Sequence, residues 1–492
     1  MSEPITIILV TTDNHTLAIQ SVASMIYNEL NLAPIMYFLP YDLPEYPETI
    51  KQNIMTHIAS MISNKRRVIM GFLIRELSKR RTFQIAREAR TLDGNITLVA
   101  GGSYATAASS ELLKIFDYVV IGDCKGLLRI INGSSSERVI IVPHMHFYYP
   151  LFSDNTFVLL RDGGIKKSRL RPLVHPQYKN KHGLELMASV GCSYSCSYCE
   201  VATLRNTFGV NYRIVFSEPT AIVNLIKREL KLNPDVKYVY FFDEDFLLKP
   251  INWLKDFTKS YREVSLPFFI FATPFSILRF PEKLDMLADV GLETVNMGIQ
   301  SGSERITKGL FGRKESKSEV IEAVKILTSL ATSSMASPPM LDFIILNPYE
   351  TANDMKATID LIRALPPPFN AVMHMMSFFK GTPLYAKALE DKRIPEGYEF
   401  KFDLHDFVSR VKTNELRIDY NQPKNIVWLF LNTVLYGMNG VHREVNGVRQ
   451  LGGLSEKQLD DLLSSNIESF SYEDIVLLAE SFPNPMDLSN SL

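Results

Sequence analysis

The 492-residue sequence predicts an α/β protein in three parts: an N-terminal doubly wound parallel sheet, a central partial (β/α)6 barrel and a C-terminal helical segment. Three observations carry this prediction. Five apolar strand-like runs alternate with helical spacing before residue 130. A second strand–helix series, six units long, runs from 184 to 395. Beyond 395 only helical periodicity remains. A chain of this length exceeds one ordinary core, so two or three domains are expected. The boundaries fall at 1–130, 131–183 (a connector), 184–395 and 396–492.

In the first part, strands are expected at Ile5–Val10, Ile35–Leu39, Arg67–Phe72, Ile96–Ala100 and Tyr118–Gly122. Helices are expected near His15–Leu30, Pro47–Ser63, Arg81–Arg90 and Ala105–Phe116. Apolar strands alternating with helices argue for a parallel sheet covered on both faces. The connector is polar at Gly133–Ser136, strand-like at Val139–Val142 and basic from Lys166 to Arg171. The second series opens with a strand at Leu184–Val190. It continues with strands at Lys237–Phe242, Pro267–Ala272, Glu293–Ile299, Met340–Leu346 and Ala371–Phe378. Helices fit between them at Pro219–Leu232, Trp253–Tyr261, Pro281–Asp289, Lys317–Leu330 and Ala352–Leu365. Barrels of this kind place their chemistry at the C-terminal ends of the strands. The last part has helical spacing at Asn425–Tyr436, Ser455–Ser464 and Ser471–Ser481, with a Gly-rich irregular stretch at 437–453.

Composition narrows the function. Hydrophobic residues make up 46% and charged residues 22%, the balance of a soluble globular protein. Lys+Arg at 53 against Asp+Glu at 54 leaves a net charge of -1 and no basic tract, which argues against nucleic acid. The N-terminus carries no signal-peptide pattern, and no apolar run is long enough for a transmembrane segment. With three of its four cysteines clustered, the chain does not read as a secreted disulfide framework, and a cytoplasmic location is expected.

That cluster is Cys192, Cys196 and Cys199, in the pattern CxxxCxxC. Three thiolates so close can each hold one iron of an iron–sulfur cube, leaving the fourth iron open to a ligand. A zinc site would want a fourth ligand, usually from a second pair, and the sequence has no second cysteine pair. The lone Cys124 reads as a buried structural thiol.

The loop, with Tyr198 before its last cysteine, resembles the radical S-adenosylmethionine (SAM) enzymes, and in particular their cobalamin-dependent branch. Other segments resemble that family's motifs in order along the chain: Phe242-Asp243-Glu244-Asp245-Phe246, Gly298-Ile299-Gln300-Ser301-Gly302, Asp342 to Thr351, and Gly381-Thr382-Pro383-Leu384-Tyr385. The resemblance covers roughly residues 1–400. It implies a [4Fe–4S] cluster on the three cysteines and SAM on the open iron, cleaved to a 5′-deoxyadenosyl radical. It also implies SAM contacts among Tyr198, Asp243, Glu244, Asp245, Gln300, Ser301 and Arg213. Each of these has a plainer alternative as a strand-end, turn or surface residue. Val99 to Ala105 and Asp117 to Asp123 resemble the last strand–loop junctions of a cobalamin-binding domain in 1–130. Thr12, Phe72, Leu73, Gly101, Gly102, Ser103 and Gly122 are the cobalamin candidates. The family's cobalt-ligating Asp-x-His-x-x-Gly motif is missing, since His15 does not match it. The loop from Phe72 to Arg75 is the candidate cover for the lower face of cobalt.

The resemblance implies an enzyme, and a C-methyltransferase acting on an unactivated carbon through methylcobalamin is the leading reading. The alternatives are ring formation, rearrangement or C–C coupling without methyl transfer, and a non-catalytic cluster or cobalamin sensor. An electron donor of flavodoxin or ferredoxin type is expected. The substrate stays open between peptide, lipid and small molecule. His374 has two readings, a substrate-facing side chain and a satisfied core histidine. His144 and His146 share a face, with an ordinary polar role favoured over a metal pair.

Overall fold

The first sheet has eight strands in the order β6-β5-β4-β3-β1-β2-β7-β8. A computed structural model describes residues 5–398 apart from 14–15, 42, 44, 63–66, 93–95, 170–181, 336 and 346, together with 444–445 and 448–449. The expected C-terminal helices, and His15, lie outside the described residues.

The elements of this sheet run β1 (Ile5–Thr11), α1 (Leu17–Leu30), β2 (Ile35–Phe38), α2 (Glu48–Met61), β3 (Arg67–Leu73), α3 (Lys79–Ala89), β4 (Ile96–Gly101), α4 (Ser103–Leu112), β5 (Tyr118–Gly122), α5 (Gly126–Ile131), β6 (Val139–Val142), β7 (Thr156–Leu159) and β8 (Ile165–Lys167). Every pairing is parallel except β7 with β8. Alternation along the strands sorts their side chains to two faces. Ile8, Val10, Met70 and Leu98 pack with α2, α3 and α4 on one face. Ile7, Leu9 and Ile69 pack with α1 and α5 on the other. Fully burying each such Ile or Leu contributes about 1.5–3 kcal/mol.

The connector of the sequence reading is largely part of this sheet. β6 adds one edge, and β7 and β8 extend the other. β6 is the segment read as strand-like, whereas β7 and β8 are only four and three residues long, too short for apolar periodicity to register. The exposed Lys166 and Lys167 of β8 blunt the outer edge against further pairing.

By packing, the chain divides into two units. The first comprises residues 1–173, 182–237 and 378–403, and the second 174–181, 238–377 and 404–492. Beyond its sheet, the first unit holds β9 (His182–Leu186), β10 (Ser189–Val190), α6 (Glu200–Phe208), β11 (Val215–Phe216) and α7 (Pro219–Leu232). Residues 182–237, which open the expected barrel, fall within the first unit. Arg169 clamps α7 by donating to both carboxylate oxygens of the buried Glu229, at 3.0 and 3.1 Å.

The second unit contains β12 (Val236–Phe241), α8 (Ile251–Tyr261), β13 (Phe268–Ala272), α9 (Pro274–Arg279), α10 (Pro281–Ala288), β14 (Leu292–Gln300), α11 (Lys317–Ser333), β15 (Met340–Ile345), α12 (Ala352–Ala364) and β16 (Asn370–Met375). Its strands are parallel neighbours in sequence order. This is the order expected of successive right-handed βα units. Aromatic residues dominate both faces. Tyr238, Tyr240 and Phe269 pack with Phe242, Phe271 and Met340 on one. On the other, Phe241 and Phe268 meet Phe257 of α8 edge-to-face, with ring centroids 5.7 and 6.1 Å away.

The chain then returns to the first unit through α13 (Pro383–Glu390). Within 437–453, expected to be irregular, β17 (Glu444–Val445) and β18 (Val448–Arg449) pair antiparallel.

Candidate functional site

The cysteine loop leaves β10 through Gly191, whose φ of 106° only glycine adopts without strain. A Cβ there would also sit 2.9 Å from the Tyr212 hydroxyl. That hydroxyl accepts the Cys192 N–H at 2.7 Å, fixing the first cysteine. The Cys199 N–H donates to the Cys196 carbonyl at 3.2 Å, so the last two cysteines share one tight turn leading into α6. Two further contacts brace the loop: Arg205 donates to the Ser193 carbonyl, and the Leu384 N–H donates to the Ser197 carbonyl at 2.9 Å. The last of these gives the Gly381–Tyr385 segment a physical role, because it clamps the loop from outside.

None of the three cysteines forms a disulfide. Burial pushes the Cys199 thiol up to about 11, with Cys196 adding to the effect. A bound metal reverses that balance by taking the thiolate directly. Among the described residues no three His, Cys, Asp or Glu side chains converge on a single ion. An iron–sulfur cube asks for something else, one thiolate at each of three separate irons, and the loop offers that donor set.

Beside β10, the strand that leads into this loop, lies a cavity of about 330 Å³, apolar on most of its wall. It opens off the C-terminal ends of β3, β4 and β5, where doubly wound sheets take ligands. Phe72, Leu73, Gly101, Gly102 and Gly122 line it, as do α1 residues from Leu17 to Val22 and, from the strand leading to the cysteines, Met187 and Val190. The glycines are required. At Gly102 (φ 105°) a Cβ would come within 2.5 Å of the Ile74 carbonyl, and at Gly122 (φ 84°) within 2.2 Å of the Val142 carbonyl. Size, apolar wall and bare glycine backbone fit a planar tail such as that of cobalamin.

Two of the expected cobalamin residues are placed elsewhere. Thr12 is fully buried, its hydroxyl sharing a hydrogen bond with Thr82 at 2.7 Å, and does not reach the cavity. Ser103 also stays off the wall and donates to Glu200 at 3.0 Å. Cys124, read as a buried or structural thiol, also lines the cavity, and its thiol is pushed well up by burial and by Asp123. His146 lines the cavity beside it, with Nδ1 3.0 Å from the buried Asp123 carboxylate. The ordinary polar role favoured for His146 over a metal pair with His144 is here a contact with this acid.

In the second unit the three acids after β12 separate. Asp243 is fully buried and pairs with the equally buried Lys249 at 2.6 Å. Asp245 accepts from the Leu247 N–H at 3.1 Å and the Thr273 hydroxyl at 2.7 Å, tying the loop to the end of β13. Burial pushes its carboxyl up to about 6. Glu244, between them, is half-buried. No spacing rule pointed to Lys249 as the partner of Asp243, because the match is made by a turn.

At the end of β14, Gln300 adopts a left-handed φ of 74°, uncommon for a non-glycine residue. Its side-chain amide folds over Gly298, where a Cβ would lie 2.3 Å from Nε2. Ser301 turns into a buried polar network, donating to Glu350 at 3.3 Å and lying 3.2 Å from the Thr358 hydroxyl. Tyr198 is half-buried in the cysteine loop, and Arg213 is exposed after α6. His374 on β16 approaches Asp342 on β15, with Nε2 to Oδ1 at 3.2 Å. On β14 the buried Asn296 Oδ1 has no hydrogen-bond partner among the described residues.

Glu350 confers a pH dependence. Burial, and then the neighbouring Asp354, push its carboxyl up to about 8 from an ordinary 4.5. Between these values the folded state holds a proton that the unfolded state has released, so stability falls as pH rises across the window. Asp354 has the opposite sign. Burial raises it, but hydrogen bonds from Arg305 and Ser303 outweigh that and hold it at about 2. Its contribution is lost only as pH drops from about 3.8 toward 2. Glu350→Gln is expected to flatten the decline in denaturant midpoint between pH 5 and 8, a decline whose steepest slope is about 1.4 kcal/mol per pH unit. An unchanged pH profile would count against a neutral Glu350.

Residues 186–362 match the model of the radical SAM superfamily. A cytidylyl-2-hydroxyethylphosphonate methyltransferase from Streptomyces wedmorensis is 23% identical over 223 residues. That match spans 44% of this chain and 38% of the relative's length. Among solved structures, the radical SAM methyltransferase TsrM from Kitasatospora setae, with cobalamin and a [4Fe–4S] cluster bound, aligns at TM-score 0.55 and 15% identity. The alignment covers 79% of this chain and 75% of that one. The cobalamin-dependent SAM radical enzyme OxsB, with aqua-cobalamin and SAM bound, aligns at TM-score 0.51 and 14% identity over 94% of this chain and 66% of its own. The matched superfamily region takes in all three clustered cysteines and β12 to β15. Residues 186–362 are thus similar to the radical SAM superfamily, and the chain shares its fold with the solved enzymes TsrM and OxsB.

Proposed function

We propose that the chain is a cobalamin-dependent radical SAM C-methyltransferase acting on an unactivated carbon. One observation within the first unit carries the reading. Met187 and Val190, on the segment leading to Cys192, line the cavity above the strand ends.

Cys192, Cys196 and Cys199 would hold the [4Fe–4S] cluster, and the walls at Phe72, Leu73, Gly101, Gly102 and Gly122 would hold cobalamin. When bound, the cluster with SAM supplies one-electron bond cleavage, and cobalamin supplies a transferable methyl group. The loop from Phe72 to Arg75 is assigned to the lower face of cobalt. The protein's own work is binding and exclusion. The apolar wall keeps water from the corrinoid face, and Tyr212, Arg205 and Leu384 hold the cysteine loop in register. One of the acids Asp243, Glu244 and Asp245 is assigned to the SAM ammonium or ribose. Gln300 is assigned a SAM contact from its place at the end of β14, and His374 with Asp342 the substrate side. An electron donor of flavodoxin or ferredoxin type completes the system. Among the described residues no helix is long and apolar enough to cross a membrane.

The deciding experiment uses anaerobically reconstituted protein and methyl-labelled SAM. Label in the product, with formation of 5′-deoxyadenosine, is the expected result. 5′-Deoxyadenosine with an unlabelled product would replace methyl transfer by ring formation, rearrangement or coupling. No 5′-deoxyadenosine at all would overturn the catalytic reading.

A further inference from the structure

Directly after the last cysteine, Glu200 begins α6, and its carboxylate is held by the loops that form the cavity wall. Glu200 Oε2 accepts from Arg75 Nε at 3.1 Å and from the Ser103 hydroxyl at 3.0 Å. Arg75 lies two residues beyond Leu73, and Ser103 follows Gly102, and both Leu73 and Gly102 line the cavity. The two loops are also fastened to each other. The Ile74 N–H donates to the Gly101 carbonyl at 2.8 Å, and the Tyr104 N–H donates to the Ile74 carbonyl at 3.1 Å. Arg75 reaches back as well to the buried Asp13, at 3.3 Å. The carboxylate is mostly buried, with 13% of its side chain exposed. In such surroundings charge-assisted hydrogen bonds are short, directional and stronger than neutral ones.

We infer that Glu200 is a positioning residue that couples occupancy of the corrinoid cavity to the geometry of the cysteine loop. A ligand pressing on Leu73 and Gly102 orders the loops carrying Arg75 and Ser103, and these fix the carboxylate adjoining Cys199. Coupling of this kind is reciprocal: corrinoid stabilises the loaded cysteine loop, and the loaded loop stabilises bound corrinoid. The inference rests on the assignment of the cavity to cobalamin and adds the residue that connects the two cofactor sites.

The test measures the rate of iron loss to a chelator under anaerobic conditions, from protein reconstituted with iron and sulfide, with and without hydroxocobalamin. In the wild type, corrinoid is expected to slow iron loss by about fivefold or more, the lower end of ordinary coupling. In Glu200→Gln the slowing is expected to fall below about twofold, while corrinoid per chain stays within about twofold of wild type. Ser103→Ala, which removes one neutral donor and leaves the charged pair, is expected to fall between them. A purely structural defect would speed iron loss with and without corrinoid alike and leave the ratio unchanged. An unchanged ratio in both variants would therefore overturn the inference and leave the cobalamin assignment standing. A wild type that retains no corrinoid would overturn the assignment and the inference together.

Discussion

Cys196→Ala is expected to lose the cluster and, with it, reductive cleavage of SAM, to below about 1% of wild type, because the cube would keep only two of its three protein ligands. Cys196 is the most buried of the three, 8% exposed, and its carbonyl also receives the Cys199 N–H. The backbone turn survives the substitution and the thiolate does not. Iron and sulfide per chain and the yield of 5′-deoxyadenosine are the measurements. Corrinoid retention is the internal control, since the glycine walls of the cavity are untouched. A Cys196→Ala protein that still makes 5′-deoxyadenosine at the wild-type rate would defeat the assignment of this loop.

The largest effect on stability is expected at the Asp243–Lys249 pair. Both side chains are fully buried, 2.6 Å apart, and the Lys249 ammonium also sits 3.8 Å from the centre of the Phe246 ring. Burial drives the Lys249 pKa down, and Asp243 is the first of the charges that oppose this shift. Asp243→Ala would leave an ammonium in an aromatic pocket with its nearest counter-charge gone. Breaking one side of such a pair costs about 3–5 kcal/mol. The expected readout is a large drop in denaturant midpoint with little change in its slope. The double change Asp243→Leu with Lys249→Met removes both charges, and it is expected to recover most of the loss. A single variant within about 0.5 kcal/mol of wild type would mean the pair is solvated in solution. Lys283 belongs to the same structure, donating to the Leu247 and Lys249 carbonyls at 2.7 and 2.8 Å. The acids after β12 are thus in good part an architectural device.

The parts of the sequence with strong local signals were legible. β1 to β5 are long apolar runs, and their ends match the structure to within about two residues, the usual uncertainty of element boundaries. The cysteine loop needed no structure at all, because its chemistry is carried by residue type and spacing within one turn. Five of the seven cobalamin candidates line the cavity, since glycines and apolar residues at strand ends are the signal of a close-approaching ligand in such sheets. Thr12 and Ser103 lie off the cavity wall for a common reason. A strand-end position does not determine whether a side chain turns outward to the cavity or inward to a neighbour such as Thr82 or Glu200.

By itself, then, the sequence determined the succession of strands and helices, the donor set at Cys192, Cys196 and Cys199, and the bare backbone at Gly102 and Gly122. These depend on alternation, residue chemistry and φ, all of them local. Only the tertiary structure decided that Asp243 belongs to Lys249, that His146 belongs to Asp123, and that Met187 and Val190 close the cavity beside the cysteines. Those partnerships join residues brought together by turns and packing. Charge and hydrogen bonding act over a few ångströms of space, whatever the distance along the chain.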